Sequence, residues 1–337
     1  MFQNKPLIII LGAGSFGTAI GNLLSNNDNI AVQLLTTEKD AETNINNIHR
    51  NTKYFPNIQL NKLLRATVDQ EILTMADVVL IAIPSSVVIQ YVNTLKPYIN
   101  DRALLINCSK GFGEDDHIIS EYLDGNFPNP VAALKGPSFS IEVINNMPTG
   151  FTFASRDFHS FETFFKYTAN TNMKLDYTDD IIGTEILSIM KNVYTITMGI
   201  VDAHLDCINT RFLVFTDIVN EMRKALTIFG GRDETIFKYC GIGDFGLTSL
   251  NDLSRNRAMG LFIGKGFIKD AVSNNVTLEG QHSLNIFYDK LRLYNNGTSY
   301  NEFPILFELY RLMNSPEYDR RTFIYNIINR NRQYKTQ

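Results

Sequence analysis

Cysteine is scarce in this sequence, which contains only Cys108, Cys207 and Cys240. The count is odd, the spacings are wide and no C-x-x-C pair occurs, so we expect neither a disulfide framework nor a structural zinc site. The five histidines form no H-x-x-x-H or H-E-x-x-H pattern, and no other metal site is expected. Free thiols are typical of a protein from a reducing compartment.

A basic excess and long apolar runs are also missing. Lys plus Arg number 31 and Asp plus Glu number 35, so the formal net charge is −4 and no nucleic-acid partner is predicted. The first apolar run, 7–11, is too short for the core of a signal peptide. No later run approaches the ~20 residues that a membrane helix needs. We therefore expect a cytoplasmic protein without membrane insertion.

Two patterns of secondary structure divide the chain near residue 180. Before this point, helical patterns alternate with segments typical of buried strands, at 7–11, 30–35, 76–84, 103–108, 131–136, 149–154 and 173–177. That alternation predicts an α/β domain with a parallel, doubly wound sheet. After it, helical periodicity dominates the segments 183–203, 208–229, 255–273, 282–294 and 302–313. The sequence thus predicts domains 1–180 and 181–337, the second of them all-α.

Gly12, Gly14 and Gly17 form a G-x-G-x-x-G motif. The motif alone is a weak signal, but here it follows a predicted strand and opens a predicted helix. In such a loop the first glycine permits a tight turn, the second lets the backbone approach a pyrophosphate, and the third lets the helix pack closely. The helix N-terminus then offers N–H groups to the phosphates. Domain 1–180 is therefore predicted to be a Rossmann domain that binds a dinucleotide.

The residues after the second predicted strand bear on the choice of dinucleotide. NAD-selective sites usually carry an Asp or Glu there, for the ribose hydroxyls. Thr36 and Thr37 occupy that position, with Glu38 and Lys39 next, and none of these four residues is an arginine. The sequence predicts NAD or NADP as the cofactor without deciding between them.

A lysine interrupts the apolar stretch 183–204. Lys191 shares one helix face with three other polar side chains, Thr184, Ser188 and Thr195. Such a narrow polar stripe fits the wall of a cleft. The helix alone leaves a second interpretation open, in which the long stem of Lys191 carries its ammonium to solvent.

Residues 241–257 hold a second group of polar side chains. Asp244 lies in a glycine-flanked turn, and Ser254 is a candidate N-cap for a helix that opens with Arg255 and Asn256. A capped helix start with an arginine can bind a phosphate through backbone N–H groups and the guanidinium. A surface cap with an exposed arginine is the alternative.

Nine short motifs, in order and across both predicted domains, match one enzyme family. They are GAGSFGTAI at 12–20, YFP at 54–56, IPSS at 83–86, SKG at 109–111, GPSFSIE at 136–142, E-x5-KN at 185–192, GIGD at 241–244, SRNR at 254–257 and EG at 279–280. Over nearly its full length the chain resembles the bacterial NAD(P)-dependent sn-glycerol-3-phosphate dehydrogenases. The resemblance implies reversible hydride transfer between NAD(P)H and dihydroxyacetone phosphate, giving sn-glycerol 3-phosphate for glycerophospholipid synthesis. It also makes a homodimer plausible.

The resemblance assigns roles to particular residues. Lys191 falls on the catalytic lysine of the family and Asp244 on its acidic partner. The substrate positions implied are Lys110, Gly136, Ser138, Lys191, Asp244, Ser254, Arg255 and Asn256. The cofactor positions implied are Gly12, Gly14, Ser15, Phe16, Gly17, Lys110, Ser140, Arg255 and Glu279.

The chain departs from the family pattern at a few places. Leu187, Ser188 and Ile189 stand where the family tends to have small residues, and Asp217 stands where the family often has an arginine-glycine pair. Two further interpretations therefore remain. One is a related 6-phosphogluconate or β-hydroxyacid dehydrogenase, against which the GIGD and SRNR motifs argue. The other is a catalytically silent nucleotide-binding sensor, against which the intact Lys191 and Asp244 argue.

Overall fold

The computed structural model describes residues 5–267, 279–294, 300–315 and 317–329. The chain divides into two compact units, Met1–Glu185 and Ile186–Gln337. The division falls within one long helix, Ile181–Leu205. In the described part of the chain, none of the helices combines the length and the apolar content that a membrane crossing requires.

The described residues of the first unit include one eight-stranded sheet with the order β3-β2-β1-β4-β5-β6-β7-β8. The strands are Leu7–Leu11 (β1), Ala31–Leu35 (β2), Arg65–Thr67 (β3), Val78–Ile81 (β4), Leu104–Asn107 (β5), Val131–Lys135 (β6), Thr149–Ala154 (β7) and Met173–Thr178 (β8). The first six are parallel and follow the Rossmann strand order. Strand β3 was not predicted, because three residues are too few to show a periodicity.

The prediction of a parallel sheet is wrong for its last two strands. Strand β7 runs antiparallel to β6, and β8 is parallel to β7. The helix that connects β6 to β7, Ser140–Ile144, has five residues. The chain does not return to the far end of β6 after this helix, and β7 starts from the near end.

The helices of the first unit cover both faces of the sheet. They are Ser15–Leu24 (α1), Lys39–Ile48 (α2), Val88–Leu95 (α3), Ile119–Asn126 (α4), Ser140–Ile144 (α5) and Phe158–Tyr167 (α6). Ile8 and Ile10 of β1 pack in one core with Ile20 of α1, whereas Ile9 packs in the opposite core with Val88 of α3. Because both faces are covered, β1 is a continuous apolar run rather than an alternating one.

The described residues of the second unit form helices joined by loops, and no strand is found among them. Its helices are Ile181–Leu205 (α7), Ile208–Ile228 (α8), Asp244–Ser249 (α9), Arg255–Gly264 (α10), Glu279–Arg292 (α11), Pro304–Asn314 (α12) and Arg320–Ile328 (α13), the first of which begins in the first unit. The predicted helix over 255–273 is too long. It ends at Gly264, close to Gly266, whose φ of +99° is left-handed and terminates a helix. Residues 268–273 lie outside the described residues.

Two helices of the second unit cross at close range. A Cβ atom on Gly260 of α10 would lie 2.1 Å from the carbonyl oxygen of Ile196 in α7. Only glycine allows this approach without a backbone shift. The crossing fixes the start of α10 relative to the middle of α7, where Lys191 lies.

Candidate active site

The glycine loop between β1 and α1 has the three properties that its motif predicts. Gly12 has a φ of +104°, which favours glycine, and it makes the tight turn. A Cβ on Gly17 would lie 2.1 Å from the carbonyl oxygen of Gly12, so α1 packs directly on the loop. The Cβ position of Gly14 has no neighbour within 4 Å. The loop is thus open at the one glycine where a pyrophosphate would approach the backbone.

A cavity of about 470 Å³ adjoins this loop. Its wall includes Gly12, Gly14 and the segment Thr36–Glu38 that follows β2. The first N–H groups of α1 have no partner within the helix, so they can serve an anion beside Gly14. These features fit a nicotinamide dinucleotide, with its pyrophosphate at the loop and an adenosine ribose near the end of β2.

The polar group at the end of β2 contains a charge pair. Glu38 lies three residues beyond the strand, and its Oε1 is 2.6 Å from Nζ of Lys53. The side chains of both residues are about half-exposed. The Glu38 carboxylate raises the pKa of Lys53, chiefly through its hydrogen bond. An acid and a base therefore stand together where a ribose hydroxyl or a ribose phosphate would be recognised.

Asn51 supports the glycine loop, a role that the sequence did not reveal. Its buried Nδ2 donates to the carbonyl oxygen of Ala13 and to Oγ1 of Thr18, each at 2.8 Å. Asn51 lies in the chain after α2, 38 residues from Ala13. No local spacing could have predicted the contact.

Three of the proposed substrate residues converge at the end of β6. Nζ of Lys110 donates to the carbonyl oxygen of Gly136 at 3.1 Å, and Oγ of Ser138 donates to the same oxygen at 2.9 Å. Three candidate cofactor residues, Ser15, Phe16 and Ser140, lie in the first turns of α1 and α5. The Phe16 ring is 6.4 Å from that of Phe151 in β7.

Lys191 does not extend to solvent. The alternative in which its stem carries the ammonium out of the helix packing is therefore wrong. The residue is 4% exposed, and Asp244, which begins α9 rather than lying in a turn, is 1% exposed. Nζ of Lys191 donates to Oδ1 of Asp244 and to Oγ1 of Thr248, each at 2.8 Å. Thr248 was missed, although its spacing of four from Asp244 places both on one helix face. A buried ammonium held by two acceptors can stabilise and protonate a nascent alkoxide.

The SRNR segment forms the start of α10. The prediction that Ser254 is an N-cap is confirmed, because its Oγ accepts from the backbone N–H of Arg257 at 3.3 Å. Arg257 is buried and pairs with Asp202, which leaves the exposed Arg255 as the cation at the helix start. Exposure and position together suit Arg255 for an anion.

Asn256 lies beside the EG motif. A Cβ on Gly280 would be 3.0 Å from Oδ1 of Asn256 and 3.2 Å from the carbonyl oxygen of Asn192, the neighbour of Lys191. The EG and SRNR motifs and the residue after Lys191 are therefore adjacent. Glu279 begins α11, but its side chain lies outside the described residues.

The departures from the family pattern lie on α7 and α8. Leu187, Ser188 and Ile189 are buried in α7, so the larger side chains there are part of the packed interior. Asp217 is half-buried on α8.

Two family models match the chain, one for each half. The model described as NAD-dependent glycerol-3-phosphate dehydrogenase N-terminus matches residues 7–160, and the corresponding C-terminus model matches residues 180–319. Together they cover both units.

Similar proteins support the same assignment. The glycerol-3-phosphate dehydrogenase [NAD(P)+] of Neorickettsia sennetsu is 31% identical over 289 residues, which cover 85% of each chain. That of Halothermothrix orenii is 30% identical over 315 residues, with 91% of this chain and 90% of the relative covered. The crystal structure of the Coxiella burnetii glycerol-3-phosphate dehydrogenase superposes with a TM-score of 0.84 at 26% identity, covering 96% of this chain and 99% of that one. With both halves matched by the models of one family, and with relatives of 30% identity or more over most of the chain, this chain belongs to the NAD-dependent glycerol-3-phosphate dehydrogenase family.

Proposed function

We propose that this protein catalyses the reversible conversion of dihydroxyacetone phosphate and NAD(P)H into sn-glycerol 3-phosphate. The observation that carries the proposal is the buried contact of Lys191 with Asp244 and Thr248, in a chain matched by the family models over both units. Burying an ammonium is costly because it loses its hydration, and this ammonium stands at the position that the family resemblance gives to the catalytic lysine. This argues against the nucleotide-sensor alternative.

We assign dinucleotide binding to domain 1–180 and substrate binding with catalysis to domain 181–337. Gly12, Gly14 and Gly17 would hold the pyrophosphate, together with the backbone of Ser15 and Phe16 at the start of α1. Lys110, Ser140, Arg255 and Glu279 complete the proposed cofactor set. Support for the first assignment comes from the open position at Gly14 and the adjoining cavity.

The phosphate of the substrate carries two negative charges, and the chain offers cations for them. We assign its binding to Ser254, Arg255 and Asn256 at the capped start of α10. The family resemblance also implies Lys110, Gly136 and Ser138 of the first unit as substrate positions. Arg255 provides a guanidinium fork, and the first turn of α10 provides N–H groups.

The bound nicotinamide supplies a hydride for the ketone carbon of the substrate. Negative charge then develops on the carbonyl oxygen, where the Lys191 ammonium stabilises it and donates a proton. Asp244 stabilises the positive charge of Lys191, and Thr248 fixes the direction of its Nζ because it accepts a second hydrogen bond. In the oxidative direction the neutral amine of Lys191 accepts the hydroxyl proton from glycerol 3-phosphate.

An absorbance assay tests the proposal. Purified protein is mixed with dihydroxyacetone phosphate and NADH or NADPH, and oxidation of the cofactor is followed. Rapid oxidation that depends on dihydroxyacetone phosphate is expected, and the ratio of the two rates gives the cofactor preference. A second assay offers 6-phosphogluconate with NAD or NADP. Turnover there and none with dihydroxyacetone phosphate would contradict the proposal.

The setting of the enzyme follows from the same proposal. We infer a cytoplasmic homodimer that supplies glycerol 3-phosphate to glycerophospholipid synthesis. Sedimentation equilibrium checks the dimer, and a mass equal to one chain at micromolar concentration would contradict it.

A further inference from the structure

A second buried lysine lies in the first unit, outside the roles assigned so far. Lys135 is the last residue of β6 and is 0% exposed. Its Nζ lies 3.0 Å from Oε2 of Glu185, which is also fully buried. Glu185 opens the E-x5-KN motif, whereas Lys135 lies in none of the nine motifs.

The pair belongs to a network of buried polar groups. Oε1 of Glu185 accepts from Nδ2 of Asn107 at 2.6 Å and from Oγ of Ser120. Nζ of Lys135 also donates to the backbone carbonyl of Ser109. The network therefore joins the ends of the neighbouring strands β5 and β6.

Ser109 is held at three of its polar groups. Its N–H donates to Oδ1 of Asn107 at 3.0 Å, its hydroxyl donates to the carbonyl oxygen of Ile83 at 2.6 Å, and its carbonyl accepts from Lys135. The next residue, Lys110, donates in turn to Gly136, the residue that follows Lys135. Two reciprocal lysine-to-carbonyl bonds thus link segments 109–110 and 135–136.

Stability alone does not account for this arrangement. Removing two charges from water is costly, and replacement of a buried ion pair by well-packed neutral side chains is often neutral or stabilising. What the neutral side chains cannot supply is a cationic donor to the Ser109 carbonyl. That donor determines where the backbone of Ser109 and Lys110 lies.

We propose that Lys135 is a positioning residue, which, with Glu185, fixes the Ser109–Lys110 backbone so that the Lys110 ammonium is presented to the phosphate of the substrate. The proposal rests on the substrate-binding role assigned to Lys110 above. It explains how Lys110 is held in place, namely by the buried ammonium of Lys135 at the end of the neighbouring strand β6.

Three variants separate positioning from stability. Lys135→Met removes the donor and leaves the Glu185 carboxylate buried without it. The double variant Lys135→Met/Glu185→Gln removes both charges but keeps an amide oxygen for Asn107 and Ser120. Ser120→Ala weakens the network while it keeps the bond from Lys135 to Ser109. Lys174→Met, at an exposed position on β8, is the matched lysine control.

Each variant is measured for Tm, for KM and kcat with dihydroxyacetone phosphate, and for hydrogen exchange of the backbone amides at 108–111. Lys135→Met should lower Tm, and the double variant should recover most of the loss. In both, KM should rise about tenfold or more and exchange at 108–111 should quicken, because a misplaced contact group weakens productive binding. Ser120→Ala should lower Tm yet leave KM and exchange as in the wild type.

A double variant with the KM and the exchange of the wild type would overturn the proposal and leave the pair a structural role only. If Lys135→Met does not fold, the double variant decides alone. If the wild type fails to reduce dihydroxyacetone phosphate, the proposed function fails. Even then, faster exchange at 108–111 in the double variant would support the positioning of the Ser109–Lys110 backbone by Lys135, and unchanged exchange would refute it.

Discussion

The glycine loop of the first unit and the Lys191–Asp244 pair of the second unit interact with charge by different means. The loop relies on backbone N–H groups, which are accessible because Gly14 has no side chain and nothing within 4 Å of its Cβ position. The second unit instead buries charged side chains, with Nζ of Lys191 2.8 Å from Oδ1 of Asp244. A site built from the backbone should govern binding of the cofactor. A site built from side chains should govern the chemical step.

Substitution of Lys191 should produce the largest effect. Lys191→Met should lower kcat by ~10²-fold or more, because the alkoxide loses its proton donor and its stabilising charge. The dissociation constant of NADH, measured by fluorescence, should stay near that of the wild type. Lys224→Met, at a half-exposed lysine of α8, is the control. A Lys191→Met enzyme with nearly normal kcat would remove the catalytic role from this residue.

Alanine at the glycines should affect binding rather than chemistry. Gly17→Ala places a Cβ 2.1 Å from the Gly12 carbonyl, so we expect a loss of stability of ~1–3 kcal/mol together with weaker NADH binding. Gly14→Ala meets no atom of the protein and should keep the wild-type Tm. Its NADH affinity should fall about tenfold, equivalent to ~1.4 kcal/mol.

Gly125→Ala is the control for these two variants, since the added Cβ at this exposed residue of α4 also has open space around it. It should leave the NADH affinity unchanged and should not lower Tm, since alanine favours a helix more than glycine does. Equal NADH affinities for Gly14→Ala and Gly125→Ala would show that the loop does not approach the cofactor at Gly14.

Thr248 should contribute less than Lys191 because it acts on the lysine. Thr248→Val keeps the shape but removes the acceptor of a charged hydrogen bond, an interaction of ~1.5–3 kcal/mol. We expect kcat to fall about tenfold, which corresponds to ~1.4 kcal/mol. Thr248→Ser retains the hydroxyl and should restore most of the rate. If Val and Ser variants are equally active, the hydroxyl has no part in orienting Lys191.

The smallest expected effect concerns the reactivity of one cysteine in each unit. Burial raises the pKa of Cys108 in the first unit to about 12, so its thiol stays protonated and inert at neutral pH. In the second unit, hydrogen bonds from Thr210 lower the pKa of the exposed Cys207 and favour its thiolate. Iodoacetamide at pH 8 should therefore label Cys207 and spare Cys108, as read by peptide mass spectrometry. Labelling of Cys108 in the folded protein would contradict its burial.

Local patterns predicted those features that local geometry produces. The glycine loop, the helix around Lys191 and the Ser254 cap each depend on residues within a few positions of one another, and spacing reveals them. The reversal of β7 was not predicted, because strand direction depends on how the connecting segment packs. Asn51 and Lys135 were missed for a related reason, since each acts on residues more than 20 positions away.

The sequence by itself determined the two-part organisation, the dinucleotide loop and the family. Hydrophobic periodicity and ordered short motifs are properties of the chain and need no coordinates. Only the tertiary structure decided that Lys191 is buried against Asp244 and Thr248, and that Lys135 holds Ser109. The chemical behaviour of a charged side chain depends on its desolvation and on the groups that contact it. In this protein, folding brings those groups together from distant parts of the chain.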